Sequence, residues 1–292
     1  MSRVIGEHVD RAGWRFLFPE SARELSSDAR AQLIDTVVAA VSGKCGAPFR
    51  RSRHATTWKV PIANREGESA RVFIKQIDPG VGPIAKAKAI LRATRSEHVV
   101  AISEALRRDS FGVSRVVLIG ENLDTGHQVI VANEVPGFML TRWMNPAHST
   151  SLAIRRAILH QLGEEIARLH RVGYIHGDLT PYNIFVTIEP SIAITFIDHE
   201  RTIRISRLTI NLARNRMRNL VQLGHFNIPG ISRADKLRVF NSYSAAAGWS
   251  DRGKRKSLSR LTKMIRRRLR ANRAPARDQT RSAIIAQGPV RG

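Results

Sequence analysis

The feature that most constrains this sequence is a short loop, His176 to Asn183, which holds an acid and an amide five positions apart. A helical pattern precedes the loop and two short apolar runs follow it, so the loop lies between a helix and a strand pair. A carboxylate such as Asp178 can orient and deprotonate a hydroxyl group. An amide oxygen such as that of Asn183 can bind a divalent cation. The loop therefore indicates a reactive site on a mixed α+β fold.

A second carboxylate, Asp198, follows Asn183 by fifteen positions and ends an apolar run. Two acids and an amide around one small strand pair can hold a metal ion together with phosphate oxygens. Upstream, Lys75 ends another apolar strand, where a lysine is costly to bury without an anionic partner. Each acid alone is most often a turn or capping residue, and a lone lysine there is most often solvated. Their combination favours phosphoryl transfer.

The sequence pattern divides the chain into four regions. Residues 1–43 form an N-terminal extension, and residues 44–135 alternate strands with one helix. Residues 136–250 are mostly helical, and residues 251–292 form a basic tail. The predicted elements are a hairpin of Thr56–Ile62 and Ala70–Ile77 around a turn at Asn64–Glu68, a helix over Ala85–Arg108, strands at Val113–Gly120 and Gln128–Val135, a helix from Thr150 or Ser151 to His170, a strand pair of Ile184–Ile188 and Ile192–Ile197, a helix from Leu208 to Gly224, and a helix from Ser232 to Gly248.

Charge and apolar content limit the partners and the location. There are 48 lysines and arginines against 24 acids, a formal charge of +24, which biases the chain toward polyanions. A genome rich in arginine codons would produce the same bias without a functional reason. No run of about 18 apolar residues occurs, and the N-terminus lacks the pattern of a secretory signal, so we expect a cytoplasmic protein. Cys45 is the only cysteine, which excludes an intrachain disulfide.

The motifs resemble those of the kinase-like phosphotransferases. The loop His176-Gly177-Asp178 with Asn183 has that superfamily's form H-[RG]-D-x-x-x-x-N, and the H-G-D variant resembles small-molecule and glycan kinases. The closest resemblance is to the bacterial lipopolysaccharide core kinases, the Kdo and heptose kinases. It also rests on three further segments, namely Arg51–Arg53, Phe196–Arg201, and Asn211–Arg214 with Ser232–Arg238. The resemblance implies a two-lobed α+β fold of the protein-kinase type, with a small β-rich N-lobe and a larger, mostly helical C-lobe.

The resemblance also implies a role for each matching residue, with ATP and Mg²⁺ as cofactors. Asp178 would be the catalytic base, Asn183 and Asp198 the magnesium ligands, and Lys75 the residue on the α- and β-phosphates. The partner of Lys75 is expected to be Glu97, with Glu104 as the alternative.

Two further nucleotide contacts are expected. The strand at Val131–Val135 would join the lobes, with the backbone of Glu134 and Val135 facing adenine. No G-x-G-x-x-G precedes the first strand, so either the cover over the phosphates is looser or Arg51 and Arg53 contact phosphate directly. Asp198-His199-Glu200 replaces the Asp-Phe-Gly of protein kinases, so that activation switch is absent and constitutive activity is expected.

The acceptor implied by the resemblance is a sugar hydroxyl of the lipopolysaccharide inner core. The tail from Lys254 to Arg273 has the pattern of a basic amphipathic helix. Such a helix can lie on the anionic inner face of the cytoplasmic membrane, can follow a nucleic-acid backbone, or can be a solubilising tail. Three other functions stay open, namely an atypical protein Ser/Thr kinase, a small-molecule kinase of the aminoglycoside type, and a catalytically silent module that binds polyanions or membranes.

Overall fold

The structure is a computed structural model that describes residues 6–44, 46–52, 54–63, 69–79, 95–148, 150–205, 212–226 and 228–271. Its contacts divide the chain into two compact units, Met1–Val135 and Pro136–Gly292. The predicted α+β class, with a β-rich N-terminal part and a helical C-terminal part, is confirmed. The division into four regions, with boundaries at residues 43, 135 and 250, stays a prediction.

The N-terminal unit is built on one antiparallel sheet in the order β1-β2-β7-β8-β5-β4-β3. Its elements are β1 (Gly6–Arg11), β2 (Trp14–Pro19), α1 (Ser27–Val41), β3 (Arg50–Arg51), β4 (Ala55–Ala63), β5 (Ser69–Ile77), α2 (Arg95–Arg108), β6 (Gly112–Val113), β7 (Val116–Asn122) and β8 (Gln128–Asn133).

The helices α1 and α2 pack on opposite faces of the sheet. Alternating side chains along β5 show this, because successive residues of a strand point to opposite faces. Val72 and Ile74 belong to the apolar cluster that contains the buried residues of α1. Ile77 belongs to the other cluster, with Val99 and Val100 of α2. Each helix thus covers one face of the strand that carries Lys75.

The N-terminal extension is part of this sheet. The hairpin β1–β2 continues the sheet because β2 pairs with β7. Phe16, which is fully buried, and Phe18 add to the α1 cluster. Ser26 caps α1 by accepting a hydrogen bond from the Ala29 N–H at 3.3 Å. The extension therefore supplies two strands and one of the two α-helices in the described part of the unit.

The C-terminal unit is mostly helical. Its elements are β9 (Phe138–Met139), α3 (Leu140–Met144), α4 (Leu152–Val172), β10 (Tyr174–Ile175), β11 (Ile184–Thr187), β12 (Ala193–Phe196), β13 (Ile203–Arg204), α5 (Leu212–Gly224), α6 (Arg233–Ala246) and α7 (Asp251–Ala271). Strand β11 pairs antiparallel with β12 and β9, and β10 pairs with β13.

Helices α4 and α6 begin as the sequence predicts. Ser151 caps α4 through the Ile154 N–H, and α4 stops at Gly173, which takes the left-handed conformation (φ 103°) that glycine tolerates best. Ser232 and Asp235 form a reciprocal capping box at the start of α6. These local signals fix where the two helices start, and Gly173 fixes where α4 ends.

The other predicted elements in the described part of the chain are present, with ends shifted by a few residues. The hairpin with Lys75, the strand pair β11–β12 and the basic helix α7 are all found. Four predictions lie partly or wholly outside the described residues, namely the helix over 85–94, the turn at Asn64–Glu68, the start at Leu208 and the phosphate contact of Arg53.

Helix α7 packs against α5. A Cβ on Gly224 would lie 2.7 Å from Cδ1 of Ile265, so the two helices touch there, and Leu261 is buried. Part of the apolar side of α7 is therefore covered by protein. No helix in the described ranges is both long enough and apolar enough to span a bilayer.

The close contact of α4 and α6 depends on Gly163, and this gives a first prediction. A Cβ at Gly163 would lie 2.5 Å from the Val239 carbonyl oxygen and 2.8 Å from the Tyr243 nitrogen. Backbone atoms cannot move aside as a flexible side chain can, so Gly163→Ala should lower the free energy of unfolding by about 1–3 kcal/mol. Urea denaturation measures this.

The matched control is Gly253→Ala in the first turn of α7, where the nearest atom is Ser250 Oγ at 3.3 Å. The control should be neutral or slightly stabilising, because alanine favours helix over glycine. Equal stability of Gly163→Ala and the wild type would contradict the close-packed contact.

Candidate active site

The predicted catalytic loop lies between α4 and β11. After Gly173 the chain forms β10, runs through His176 to Thr180 and makes a 3₁₀ turn over Pro181–Asn183. Backbone hydrogen bonds from the Thr180 N–H to the Asp178 carbonyl (2.9 Å) and from the Asn183 N–H to the Thr180 carbonyl (3.0 Å) shape the loop. The two predicted reactive residues thus lie at either end of one tight turn.

The side chain of Asn183 holds Asp178. Its Nδ2 donates to the Asp178 backbone carbonyl at 2.9 Å and to the carboxylate Oδ2 at 3.3 Å. Because an amide carries its donors and its acceptor on opposite sides, this assignment leaves Oδ1 of Asn183 directed away from the carboxylate. An amide oxygen held in this way is a suitable ligand for Mg²⁺.

Gly177 is the residue that this backbone path requires. It has φ +74°, and a Cβ there would collide with the backbone carbonyl of Arg201. Its own carbonyl accepts a hydrogen bond from Nε2 of Gln222 on α5. The H-G-D form of the motif therefore has a steric cause in this fold.

The predicted metal-binding loop is tied to the catalytic loop through Ile197. The Ile197 N–H donates to the Asn183 carbonyl at 3.0 Å, and Nε2 of His176 donates to the Ile197 carbonyl at 3.1 Å. The next residue, Asp198, is exposed and left-handed (φ 66°, ψ 61°), an uncommon conformation for a residue with a side chain. The structure thus brings Asp178, Asn183 and Asp198 to adjacent loops.

The electrostatics of His176 support this proximity. The imidazole is fully buried, and burial lowers its pKa. Asp198 and Asp178 both act on the same ring in the opposite direction, which requires both carboxylates to lie near it. A neutral His176 whose Nε2–H is given to Ile197 has only an acceptor at Nδ1, and this nitrogen has no partner among the described residues.

Two polar residues of α5, Asn219 and Gln222, form hydrogen bonds with the catalytic loop. Oδ1 of Asn219 accepts from the His176 N–H at 3.0 Å and from His170 Nε2 at 3.2 Å, while its Nδ2 donates to Gln222 Oε1 at 2.8 Å. Gln222 in turn donates to Gly177. Sequence reasoning missed Asn219 and Gln222. The only sequence signal is a pair of amides three positions apart, which places them on the same side of α5.

In the N-terminal unit, Lys75 lies on β5 between Thr57 of β4 and Ile130 of β8. Alternation places it on the same face as Ile77, the face that α2 covers. The predicted strand lysine therefore faces the helix that carries its predicted partner.

Of the two candidate partners, the position on α2 favours Glu97. The Ser96 N–H donates to Gln128 Oε1 at 3.3 Å, and Gln128 lies opposite Ile77 in the sheet. The start of the described helix is thus close to the end of β5. Glu104 lies seven residues further, about 10 Å along the helix axis. Its Oε1 is buried and has no partner within the described ranges.

The side chain of Glu134 forms ion pairs within the N-terminal unit. Its carboxylate pairs with Lys59 at 2.7 Å and with Arg71 at 2.6 Å, and its N–H donates to the Arg71 carbonyl. Any contact of Glu134 or Val135 with adenine would therefore use other backbone groups, as the sequence predicts.

Arg51 lies in the short strand β3, and its side chain is exposed. The turn from β3 to β4 is closed by Ser52, whose Oγ donates to the Ala55 carbonyl at 3.0 Å and accepts from the Ala55 N–H at 3.1 Å. The serine turn lies at the position where protein kinases have a glycine-rich loop. The guanidinium of Arg51 beside it is exposed to solvent.

In this structure one loop holds a carboxylate and an amide, and hydrogen bonds join it to a second loop with another carboxylate. This arrangement is typical of kinase-like phosphotransferases. Among the described residues no group of three His, Cys, Asp or Glu could hold a metal ion. Hard oxygen donors suit Mg²⁺, which usually keeps several waters and binds substrate phosphates.

Residues 84–243 match the model of the lipopolysaccharide kinase (Kdo/WaaP) family, more than half of the chain. The chain therefore belongs to the lipopolysaccharide kinase (Kdo/WaaP) family, and it is a phosphotransferase with an alcohol group as acceptor. The predicted family and enzyme class are confirmed. No curated protein matches the chain.

The geometry of Gly177 gives a second prediction. Gly177→Ala should reduce transfer activity strongly, because the Cβ would displace the Arg201 backbone and with it the position of Asp178. The control is Gly43→Ala, a glycine with φ +76° and no atom within 4 Å of a built Cβ. Activity per folded molecule, with folding checked by circular dichroism, is the measurement. An active Gly177→Ala enzyme would contradict the steric argument.

Buried histidines give a third prediction. Burial lowers the pKa of His170 to about 4 and that of His199 to about 3, so both are neutral in the folded state. The unfolded chain protonates near pH 6.5 and then binds more protons than the folded chain. Stability is therefore lost as the pH falls from about 6.5 toward 4, by roughly 2 kcal/mol per histidine between pH 7 and 5.

The comparison is the urea midpoint at pH 7 and pH 5 for the wild type, His199→Gln and His160→Gln. The side-chain amide in His199→Gln can still donate to the Phe196 carbonyl, and the stability of this variant should depend less on pH. His160→Gln, which changes an exposed histidine, is the control variant. The same pH dependence in His199→Gln and the wild type would contradict a neutral buried His199.

Proposed function

We propose that this protein uses ATP to phosphorylate a sugar hydroxyl of the lipopolysaccharide inner core. The observation that carries the proposal is the double hydrogen bond from Asn183 to Asp178, together with the contacts that place Asp198 on the adjoining loop. Family membership adds the chemical class, a phosphotransferase that acts on hydroxyl groups. ATP, Mg²⁺ and the identity of the sugar are proposals.

Asp178 is the catalytic base in this proposal. Its carboxylate accepts the proton of the acceptor hydroxyl as that oxygen forms a bond to the γ-phosphorus. The bond between the γ-phosphorus and the bridging oxygen breaks, and ADP leaves with the electron pair. The amide of Asn183 keeps one carboxylate oxygen engaged, which fixes the direction in which the other oxygen can accept a proton.

Asn183 Oδ1 and the Asp198 carboxylate are the proposed ligands of Mg²⁺. When bound, the ion would neutralise the charge of the transferring phosphates. The left-handed backbone of Asp198 carries its carboxylate out of β12 into solvent, where phosphate oxygens can share it.

The N-terminal unit would hold the nucleotide. We assign Lys75 to the α- and β-phosphates with Glu97 as its partner, the exposed Arg51 to phosphate, and the backbone of Glu134 and Val135 to adenine. The Lys59–Glu134–Arg71 pairs support the last assignment, because they hold β8 and the following residue against β4 and β5.

We further propose that the protein acts in the cytoplasm, at the inner face of the membrane. Helix α7 has ten lysines and arginines and one acid. Because Leu261 is buried and Ile265 lies against α5, the contact with anionic lipid would be mainly electrostatic, at about 1 kcal/mol per cation near the surface.

Asp178→Asn gives the fourth prediction. Asparagine can still accept from Asn183 but cannot take the proton, so kcat should fall at least about 100-fold. Asp198→Asn should instead weaken the binding of ATP in the presence of Mg²⁺. The exposed Asp124→Asn is the matched control and should behave as the wild type. Steady-state kinetics and calorimetric titration with ATP are the measurements. Undiminished kcat in Asp178→Asn would remove Asp178 from the mechanism.

The acceptor is tested with ATP labelled in the γ-phosphate. Extracted lipopolysaccharide, a protein lysate and an aminoglycoside are offered separately. Label on the lipopolysaccharide alone supports the proposal. Label on protein alone would make this an atypical protein kinase, and label on the aminoglycoside alone a small-molecule kinase. No label on any acceptor, with no binding of ATP, would favour a silent polyanion-binding module.

A further inference from the structure

A groove lined by arginines lies between α5 and α7, within the C-terminal unit. It is open to solvent and has a volume of about 330 Å³. The residues that line it are Arg218, Val221, Gln222, Met264, Arg267 and Arg268. Its walls thus combine three guanidinium groups with an apolar floor.

The packing of α7 explains why the arginines meet there. Gly224 has no side chain, so Ile265 of α7 can approach the end of α5 closely. With Ile265 on α5, Met264 lies beside it at the groove, and Arg267 and Arg268 follow one turn later on the same side of the helix. The basic pattern of α7 is therefore placed against Arg218 by an apolar contact.

The charges in the groove are not compensated within the described part of the chain. None of the described residues that line it is acidic. Within the same part, Arg218, Arg267 and Arg268 have no ion-pair partner, whereas Arg216 of the same helix α5 donates to the His170 carbonyl at 2.7 Å. Three cations on one groove repel each other, and a bound anion removes that cost. Guanidinium groups bind phosphate and carboxylate through paired hydrogen bonds.

The groove borders the catalytic loop. Gln222 both lines the groove and donates to the Gly177 carbonyl, and Gly177 directly precedes Asp178. Just past the end of α5, Phe226 packs edge-on against Tyr182 of the same loop, with ring centroids 5.6 Å apart. A ligand in the groove would therefore lie beside the loop that holds the proposed base.

We propose that this groove binds a phosphate or carboxylate substituent of the acceptor glycan and so positions the acceptor hydroxyl near Asp178. The inference rests on the proposed function, since it names the part of the acceptor that this chain recognises. The groove is a binding site for an anionic sugar, and Arg218, Arg267 and Arg268 are its specificity-determining residues.

The test compares two triple variants with the same change in charge. The groove variant carries Arg218→Gln, Arg267→Gln and Arg268→Gln. The control carries Arg252→Gln, Arg255→Gln and Lys256→Gln, three exposed cations near the start of α7 that do not line the groove. Each variant loses three positive charges, so general charge effects are equal in both.

The first readout is binding, and it does not need enzyme activity. The thermal midpoint is measured in inorganic phosphate and in chloride at equal ionic strength, and with a hexose phosphate. A ligand that binds only the folded state raises the midpoint. Phosphate should stabilise the wild type and the control variant more than the groove variant. A nucleotide site that also binds phosphate contributes equally to all three proteins.

The second readout is the acceptor KM in transfer to lipopolysaccharide. It should rise at least about tenfold in the groove variant, while the KM for ATP stays constant in all three proteins. Equal acceptor KM values in the groove and control variants, or equal stabilisation by phosphate, would overturn the groove proposal. If the wild type transfers no phosphate, the proposed function fails, and the binding readout still decides whether the groove takes an anion.

Binding to lipid vesicles is measured as well, because it distinguishes an anion of a glycan from an anion of a lipid headgroup. Vesicles of phosphatidylglycerol should bind the groove and control variants equally, because lipid contact depends on the charge of the whole helix. A loss of vesicle binding in the groove variant alone, with unchanged response to the hexose phosphate, would overturn the assignment to the acceptor glycan.

Discussion

One hydrogen bond from a buried imidazole joins the two acidic loops of this enzyme. The imidazole of His176 donates to the Ile197 carbonyl, and this bond holds the end of β12 against the catalytic loop. The bond requires a neutral ring with its proton on Nε2, which full burial favours. Asn219 of α5 holds the backbone of the same residue. Asp178 lies two residues after His176, and Asp198 lies one residue after Ile197. The hydrogen bonds of His176 therefore help to position both carboxylates, which have the proposed chemical roles.

The loop that carries Asp198 is fixed in a way that agrees with constitutive activity. His199 stands where protein kinases have the phenylalanine of their activation switch. It is buried, its Nε2 donates to the Phe196 carbonyl at 3.0 Å, and its Nδ1 lies 3.1 Å from the hydroxyl oxygen of Thr202, which itself donates to the His176 carbonyl. Moving this ring out would break the hydrogen bond to Phe196 and the polar contact with Thr202. We therefore expect the loop of Asp198, the proposed metal-binding loop, to hold one arrangement.

Local patterns in the sequence predict much of this structure. The capped ends of α4 and α6, the hairpin with Lys75 and the residues of the catalytic loop were accessible because each depends on neighbours in the chain. Asn219 and Gln222 were not, because their importance comes from contacts about 45 positions away. The periodicity of α7 predicts an amphipathic helix, but it cannot distinguish a membrane from α5 as the partner of the apolar side. The two strands and the helix of the N-terminal extension were missed because the sheet that β2 joins is completed more than 90 positions later.

The central claim is that this chain moves the γ-phosphoryl group of ATP to a sugar hydroxyl. Phosphorus NMR of a single incubation with core oligosaccharide, ATP and Mg²⁺ tests it most directly, because it identifies every phosphorus-containing product. The account predicts a new sugar phosphomonoester in an amount equal to the ADP formed, with no release of inorganic phosphate. Formation of ADP and inorganic phosphate alone, with the oligosaccharide unchanged, would contradict it.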